Sequence, residues 1–221
     1  MDQIYILPIL LFSVVIHEVA HGWMALRLGD PTAREMGRLT LNPIPHIDPV
    51  GSVLVPLFSL FVAGRVFIAW ARPVPINPLN FSHYRRDDIL VAIVGPCSNF
   101  ILAFLCTVVV ICIDKFVPSL PGSGTMVGDA MVFIRDMFVG GITLNVVLAL
   151  FNMIPIPPLD GSHVVASLLP PGVGSRFRNI GFLGVFLVLI LMRWHPFAQL
   201  FSWMIGTLIL PFDMLYSFFV K

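Results

Sequence analysis

Two histidines and a glutamate lie close together in an apolar stretch near the start of the chain, in the sequence HEVAH at positions 17–21. Imidazoles four residues apart lie on one face of a helix, so His17 and His21 can both bind one metal ion. Glu18 projects beside that face, where it can take a proton from a water bound at the ion. The alternative is that both histidines are purely structural, with their ring nitrogens hydrogen-bonded to polar neighbours. However, three ionisable groups inside a membrane helix are costly and rarely occur without a partner or a function.

A catalytic zinc ion takes three protein ligands, so the two histidines need a third one. The candidate is Asp160, near the end of the run NMIPIPPLDG at positions 152–161, which follows another apolar stretch. The prolines of this run interrupt the helix, and irregular backbone at membrane depth is tolerated where protein or a water-filled cavity surrounds it. Leu-Asp-Gly alone is typical of a surface turn. Its place after a proline-broken membrane helix favours a metal ligand instead.

The composition of the whole chain agrees with a membrane location. Of the 221 residues, 57% are hydrophobic and 11% are charged, and the mean hydropathy is +0.94. Soluble domains carry roughly 25% charged residues, so an ordinary soluble enzyme and a disordered protein are excluded. The net charge of +1 lacks the basic footprint that nucleic-acid binding requires. The expected partner is the lipid bilayer, with no nucleic acid.

The apolar runs predict an all-α polytopic membrane protein with about five to six transmembrane helices. The predicted spans cover residues 4–28, 89–113, 137–156, 180–192 and 197–220. A further run, 50–70, is interrupted by two glycines, a proline and an arginine. We expect this run to be re-entrant, and not a full crossing.

The third ligand constrains the topology. His17 is about 20 Å into the first helix at 1.5 Å per residue, and Asp160 follows the C-terminal end of its own helix. Both helices must therefore run in the same direction, which results if 50–70 is re-entrant. Within and beside this element, Val53-Leu-Val and Val74-Pro-Ile-Asn are candidate strands of a short β-hairpin. Its edge could hold an unwound substrate segment.

In this topology the loops on one side are basic. The loop 114–136 on the other side carries three aspartates against one lysine and one arginine. The positive-inside rule places the basic side in the cytoplasm. The arginines on that side are Arg27, Arg34, Arg38, Arg72, Arg85, Arg86, Arg176 and Arg178. We therefore expect the metal site to lie toward the cytoplasmic leaflet.

Five stretches of the chain are similar to one known family and occur in its order. They are HEVAH (17–21), LTLNPIPHIDPVG (39–51), WARPVPINP (70–78), GPCSN (95–99) and NMIPIPPLDG (152–161). In these stretches the chain resembles the site-2 proteases, membrane-embedded zinc metalloproteases that cut transmembrane substrates. It is most similar to their short bacterial subgroup without a PDZ or CBS domain.

The resemblance implies that His17, His21 and Asp160 bind one Zn²⁺ ion and that Glu18 is the general base and acid. It implies an intramembrane zinc endopeptidase of the bacterial plasma membrane, acting in regulated intramembrane proteolysis. The expected partner is a transmembrane protein substrate, and a regulatory partner could control access to the site.

The resemblance also suggests residues beyond the ligands. Asn99 and Asn152 are similar to residues that line the site near the substrate, and His46 lies in a stretch typical of the short subgroup. These three are the predicted substrate-binding residues. Residues 1–165 are predicted to form the catalytic intramembrane core, and residues 166–221 the C-terminal transmembrane segments.

Two other functions are compatible with ionisable groups at membrane depth. A metal-ion transporter also needs them, but it would carry polar positions along a path on both sides of the bilayer. A non-catalytic membrane scaffold with a zinc site would keep the ligands without needing Glu18. The candidate polar groups converge on one depth and Glu18 is intact, which favours the protease.

The topology makes a prediction that does not depend on the function. A reporter fused near residue 80 is expected to be cytoplasmic, and one near residue 123 exterior, because a single span separates them. Paired enzymatic reporters that are active on opposite sides of the membrane measure this directly. Both positions reporting the same side would contradict the topology.

Overall fold

The computed structural model of the chain describes residues 5–54, 71–116, 125–181 and 183–220. The helices in these ranges are α1 (Ile6–Arg27), α2 (Thr32–Glu35), α3 (Tyr84–Phe116), α4 (Met126–Asn152), α5 (Asp160–Leu168), α6 (Pro171–Arg178), α7 (Leu183–Arg193) and α8 (His195–Phe219). Short 3-10 turns at Ile44–His46 and Pro78–Asn80 and a π-helical turn at Pro49–Leu54 complete the regular structure of the described ranges.

Four of the described helices, α1, α3, α4 and α8, are long and apolar enough to cross a membrane. The segments Gly172–Arg178 and Leu183–Arg193, bent by 76°, make a fifth if they form one broken span. This confirms the predicted all-α polytopic class. Most of the predicted re-entrant run, from residue 55 to residue 70, lies outside the described residues.

Contacts between α1 and α3 show that these helices are antiparallel. The ring of His17 bonds to Asn99, and the ring of His21, one turn further along α1, bonds to Val91. Later residues of α1 therefore contact earlier residues of α3. Both ends of the connecting region 28–83 consequently lie at the same end of the bundle.

Helix α4 is antiparallel to α3 and so runs in the direction of α1. Asn145 of α4 bonds to Asn99 of α3, and a Cβ on Gly141 would lie 3.0 Å from the sulfur of Cys106. Higher numbers in α3 thus meet lower numbers in α4. The parallel direction of α1 and α4 is the one that the position of Asp160 predicts.

Residues 71–77, the extended segment, run beside α1. The described part of the chain contains no β-strand. The predicted hairpin is therefore absent from the described residues, since Val53 and Leu54 belong to the π-helical turn. Two prolines in the segment lack the N–H that a regular ladder needs. The amide of Arg72 donates to the carbonyl of His46 at 2.8 Å instead.

Asp30 joins the end of α1 to this segment. Its carboxylate is fully buried and accepts hydrogen bonds from the amide and hydroxyl of Thr32, the amide of Asn77 and the side chain of Asn80. Burial alone would raise the pKa of Asp30, but these donors hold it below its ordinary value. The carboxylate therefore stays ionised, and its hydrogen bonds connect the end of α1 to residues 77–80.

At the other end of the bundle, the carboxylate of Asp114 joins three helices. Asp114, near the end of α3, forms a two-pronged ion pair with Arg135 of α4 at 2.7 and 2.8 Å. The hydroxyl of Tyr216 in α8 donates to the same carboxylate at 2.8 Å. Three of the long helices therefore meet at this point, which attaches α8 to the bundle that carries the site.

Candidate metal centre

The three predicted ligands converge between α1 and the start of α5. Asp160 Oδ2 lies 3.1 Å from Nε2 of His17 and 3.3 Å from Nε2 of His21, and the two Nε2 atoms are 3.0 Å apart. The three ligand atoms lie within 4.8 Å of one another. Both histidines are buried, and the side chain of Asp160 is 20% exposed.

The hydrogen bonds on the far side of each ring define which nitrogen faces the cluster. Nδ1 of His21 lies 2.7 Å from the carbonyl oxygen of Val91, and Nδ1 of His17 lies 2.6 Å from Oδ1 of Asn99. Both partners are acceptors, so each Nδ1 carries the proton and donates. In the neutral ring, the form that binds a metal ion, each Nε2 then presents a lone pair toward Asp160.

This arrangement brings three acceptors together without a donor between them. Asp160 Oδ2 is a buried atom that receives no hydrogen bond within the described part of the chain. Two lone pairs and a carboxylate oxygen repel one another unless a cation lies among them. Two imidazole nitrogens and one carboxylate oxygen are a known ligand set of catalytic zinc. The donor chemistry therefore fits a zinc ion.

Gly95 allows the backbone of α3 to lie directly against the two rings. A Cβ at this position would overlap Nε2 of His21 and would lie 2.8 Å from Cε1 of His17. Any side chain here would displace the ligand edges of the histidines. Pro96 follows within the same helix, where its missing N–H removes one helical hydrogen bond.

A tight turn after α4 delivers the carboxylate. The proline run after Asn152 ends α4, and α5 begins at Asp160 itself. A Cβ on Gly161 would overlap the carbonyl oxygen of Met153, so the turn packs against the end of α4 only because this residue is glycine. The ligand is thus fixed to the helix that runs parallel to α1.

A buried carboxylate that sequence reasoning missed holds α5 in place. Asp88 of α3 accepts hydrogen bonds from Ser167 at 2.5 Å and from Arg178 at 2.8 Å, and its other oxygen lies 3.5 Å from His163 Nδ1. The cluster joins α3 to α5 and α6. In the sequence, Asp88 is visible only as an acidic residue directly before the predicted span 89–113. This position does not indicate which residues it contacts.

Glu18 lies on α1 between the two histidines and is partly exposed. Its Oε2 accepts a hydrogen bond of 2.8 Å from the amide of Val74. Among the described residues, Oε1 has no hydrogen-bond partner. One oxygen of the carboxylate is therefore held by residues 71–77, and within the described part of the chain the other has no partner.

The three predicted substrate-binding residues lie in different surroundings. Asn99 is fully buried and bonded at both side-chain ends, to His17 and Asn145. Asn152 is partly exposed and donates to the carbonyl of Leu148 at 3.0 Å. His46 is buried, with Nε2 3.0 Å from the carbonyl of Thr40, and is not among the clustered ligands. Their roles toward a substrate stay predictions.

Comparison with known proteins identifies the family. "Putative zinc metalloprotease YwhC" of Bacillus subtilis is 40% identical to the chain over 188 residues, which cover 84% of this chain and 79% of that protein. The chain belongs to the site-2 protease family. "Putative zinc metalloprotease Rip2" of Mycolicibacterium smegmatis is 28% identical over 199 residues, 87% of this site-2 protease and 70% of Rip2.

The Mycobacterium tuberculosis protein of the same name (strain H37Rv) is 27% identical over 209 residues, 92% of this site-2 protease and 71% of that relative. No family model and no solved structure matches the chain. The relatives' names agree with a zinc metalloprotease.

The close approach at Gly95 generates a prediction. Gly95→Ala is expected to weaken zinc binding by this site-2 protease about 10–100-fold, as other disturbances around a metal ligand do. Alanine is favoured over glycine in helices by about 1 kcal/mol, so the loss would come from the Cβ. Chelator competition on the purified protein in detergent measures it.

The matched control is Gly206→Ala in α8, where an added Cβ meets nothing within 4 Å. This variant should bind zinc as the wild type does. Equal zinc affinity of Gly95→Ala and Gly206→Ala would show that the contact between α3 and the rings does not shape the ligand set.

Proposed function

We propose that this site-2 protease is an intramembrane zinc endopeptidase. It hydrolyses peptide bonds within or near the transmembrane segments of membrane-tethered proteins, as in regulated intramembrane proteolysis. The observation that carries the proposal is the cluster of His17, His21 and Asp160 inside the helix bundle, with Glu18 on the same helix.

In the proposed mechanism, His17, His21 and Asp160 would hold one Zn²⁺ ion. The ion, when bound, acidifies water and polarises the peptide carbonyl. Glu18 takes the proton of the attacking water through Oε1 and returns it to the leaving amine. The hydrogen bond from Val74 keeps Oε2 in place while the proton moves.

The depth of the site supports cleavage inside the membrane. His21 lies six residues before Arg27, the last residue of α1, or about 9 Å along the axis at 1.5 Å per residue. The end that carries Arg27 is the basic end of the bundle. We therefore place the site toward the cytoplasmic leaflet of a bacterial plasma membrane. A substrate helix must unwind at this level before its carbonyl can be attacked.

Removing the base and removing a ligand should have different effects. Glu18→Gln is expected to retain zinc but to cleave a single-span substrate about 10²–10⁴-fold more slowly, because the proton acceptor is lost. Asp160→Ala is expected to lose zinc as well as activity, because two protein ligands do not complete the site. Zinc content and cleavage are measured together on the purified proteins in detergent.

Glu35→Gln is the control for Glu18→Gln, because Glu35 is exposed on α2. It should behave as the wild type. Unchanged cleavage by Glu18→Gln would refute the role of the base. The wild type could instead bind zinc, cleave no substrate and carry zinc across proteoliposome membranes. That result would favour a metal-ion transporter over a protease. Zinc binding with neither activity would favour the scaffold.

The link between Glu18 and the extended segment generates a separate prediction. Val74→Pro removes the amide that donates to Glu18 Oε2, and a hydrogen bond to a charged group contributes about 1.5–3 kcal/mol. Cleavage is expected to slow about 10–100-fold with zinc content unchanged. Val74→Ala is the control, since it shortens the side chain and keeps the amide. Equal cleavage rates for the two variants would exclude this positioning role.

A further inference from the structure

Two buried asparagines connect the backbone of α4 to the ring of His17. The Nδ2 of Asn145 donates to the carbonyl of Gly141 at 2.9 Å. The Oδ1 of Asn145 accepts from Nδ2 of Asn99 at 2.9 Å, and Oδ1 of Asn99 lies 2.6 Å from Nδ1 of His17. Both asparagines have 0% exposure, so water does not compete for these bonds.

The donor and the acceptor of every hydrogen bond in this series follow from the first bond, which Asn145 makes to Gly141. A backbone carbonyl only accepts, so Asn145 must turn its NH₂ toward Gly141 and its oxygen toward Asn99. Asn99 must then give its NH₂ to Asn145 and its oxygen to His17. The ring consequently donates from Nδ1 and keeps the lone pair on Nε2, the nitrogen that faces Asp160.

His21 reaches the same state by a simpler route. Its Nδ1 donates directly to the carbonyl of Val91, which cannot be reversed. The partner of His17 is an amide, which can present either an oxygen or an NH₂ group. If Asn99 turned over, it would donate to Nδ1 and move the ring proton to Nε2. That nitrogen could then no longer bind a metal ion.

We propose that Asn145 is a positioning residue of the metal centre. It fixes the orientation of Asn99 and thereby holds His17 in the tautomer whose Nε2 is free to bind zinc. Asn145 acts through Asn99, at a distance of two hydrogen bonds from the ligand. The inference rests on the proposed zinc site, and it also gives both side-chain ends of Asn99 a function.

The first test is the zinc affinity of Asn145→Leu, measured by chelator competition. Leucine leaves Nδ2 of Asn99 without an acceptor, so nothing opposes the reversed amide. We expect zinc binding to weaken about 10–100-fold, the usual effect of losing a partner behind a ligand. Thr107→Val is the control, because Thr107 is equally buried in α3 and, among the described residues, its hydroxyl bonds only to Ala103 of its own helix. It should bind zinc normally.

A second substitution separates positioning from general damage to packing. In Asn99→Asp the ionised carboxylate offers only acceptors, so it accepts from His17 whatever residue occupies position 145. The double variant Asn99→Asp, Asn145→Leu should therefore bind zinc within about threefold of Asn99→Asp alone. If Asn145→Leu weakens zinc binding equally in the wild-type protein and in Asn99→Asp, its effect comes from packing. That result would overturn the proposal.

A third readout does not need zinc. Nitrogen NMR of ¹⁵N-histidine-labelled, metal-free protein distinguishes a proton on Nδ1 from one on Nε2. We expect Nδ1–H at His17 in the wild type and a substantial Nε2–H population in Asn145→Leu. An unchanged Nδ1–H in that variant refutes the positioning role even if zinc binds and substrate is cleaved. A wild type that binds no zinc refutes the proposed function, and the tautomers still decide the role of Asn145.

Discussion

Three acceptor atoms are held within 4.8 Å of one another inside the helix bundle, and the structure around them depends on this constraint. In the form that binds a metal ion, two imidazoles whose only ring proton is on Nδ1 and a carboxylate oxygen have no proton to share. Their repulsion is strong in a medium of low dielectric constant. The fold must therefore oppose it from behind each ligand, and the bonds to Asn99 and Val91 do so for the two rings.

Close backbone packing supplies the rest of this support. Gly95 lets α3 press against both rings, and Gly161 lets the turn that carries Asp160 pack on the end of α4. The carboxylate of Asp88 then ties α5 to α3. Each of these contacts joins a different pair of elements, so a shift of α1, α3, α4 or α5 relative to the others would separate the ligands. The ligand set is a property of the bundle and not of the HEVAH helix alone.

The sequence predicts the parts of this site that depend on spacing or on chain direction. The i, i+4 histidines and the parallel direction of α1 and α4 are of this kind. The partners of Asn99 and Asp88 could not be predicted, because they depend on which faces of separate helices meet. The hairpin expectation relied on a re-entrant segment satisfying its own backbone by pairing as strands. In the described residues, the amides near Val74 bond to side chains and to a loop carbonyl instead of to a strand.

The two halves of the proposed chemistry rest on different parts of the molecule. The ligands are fixed by the helices α1, α3, α4 and α5, whose contacts are buried and specific. The proposed base shares α1 with the histidines, but its carboxylate is held by Val74 of the extended segment, which Asp30 anchors at Asn77. A displacement of that segment would change the position of Glu18 without disturbing a ligand. In the proposed chemistry, proton transfer therefore depends on the position of residues 71–77, whereas metal binding depends on the helices.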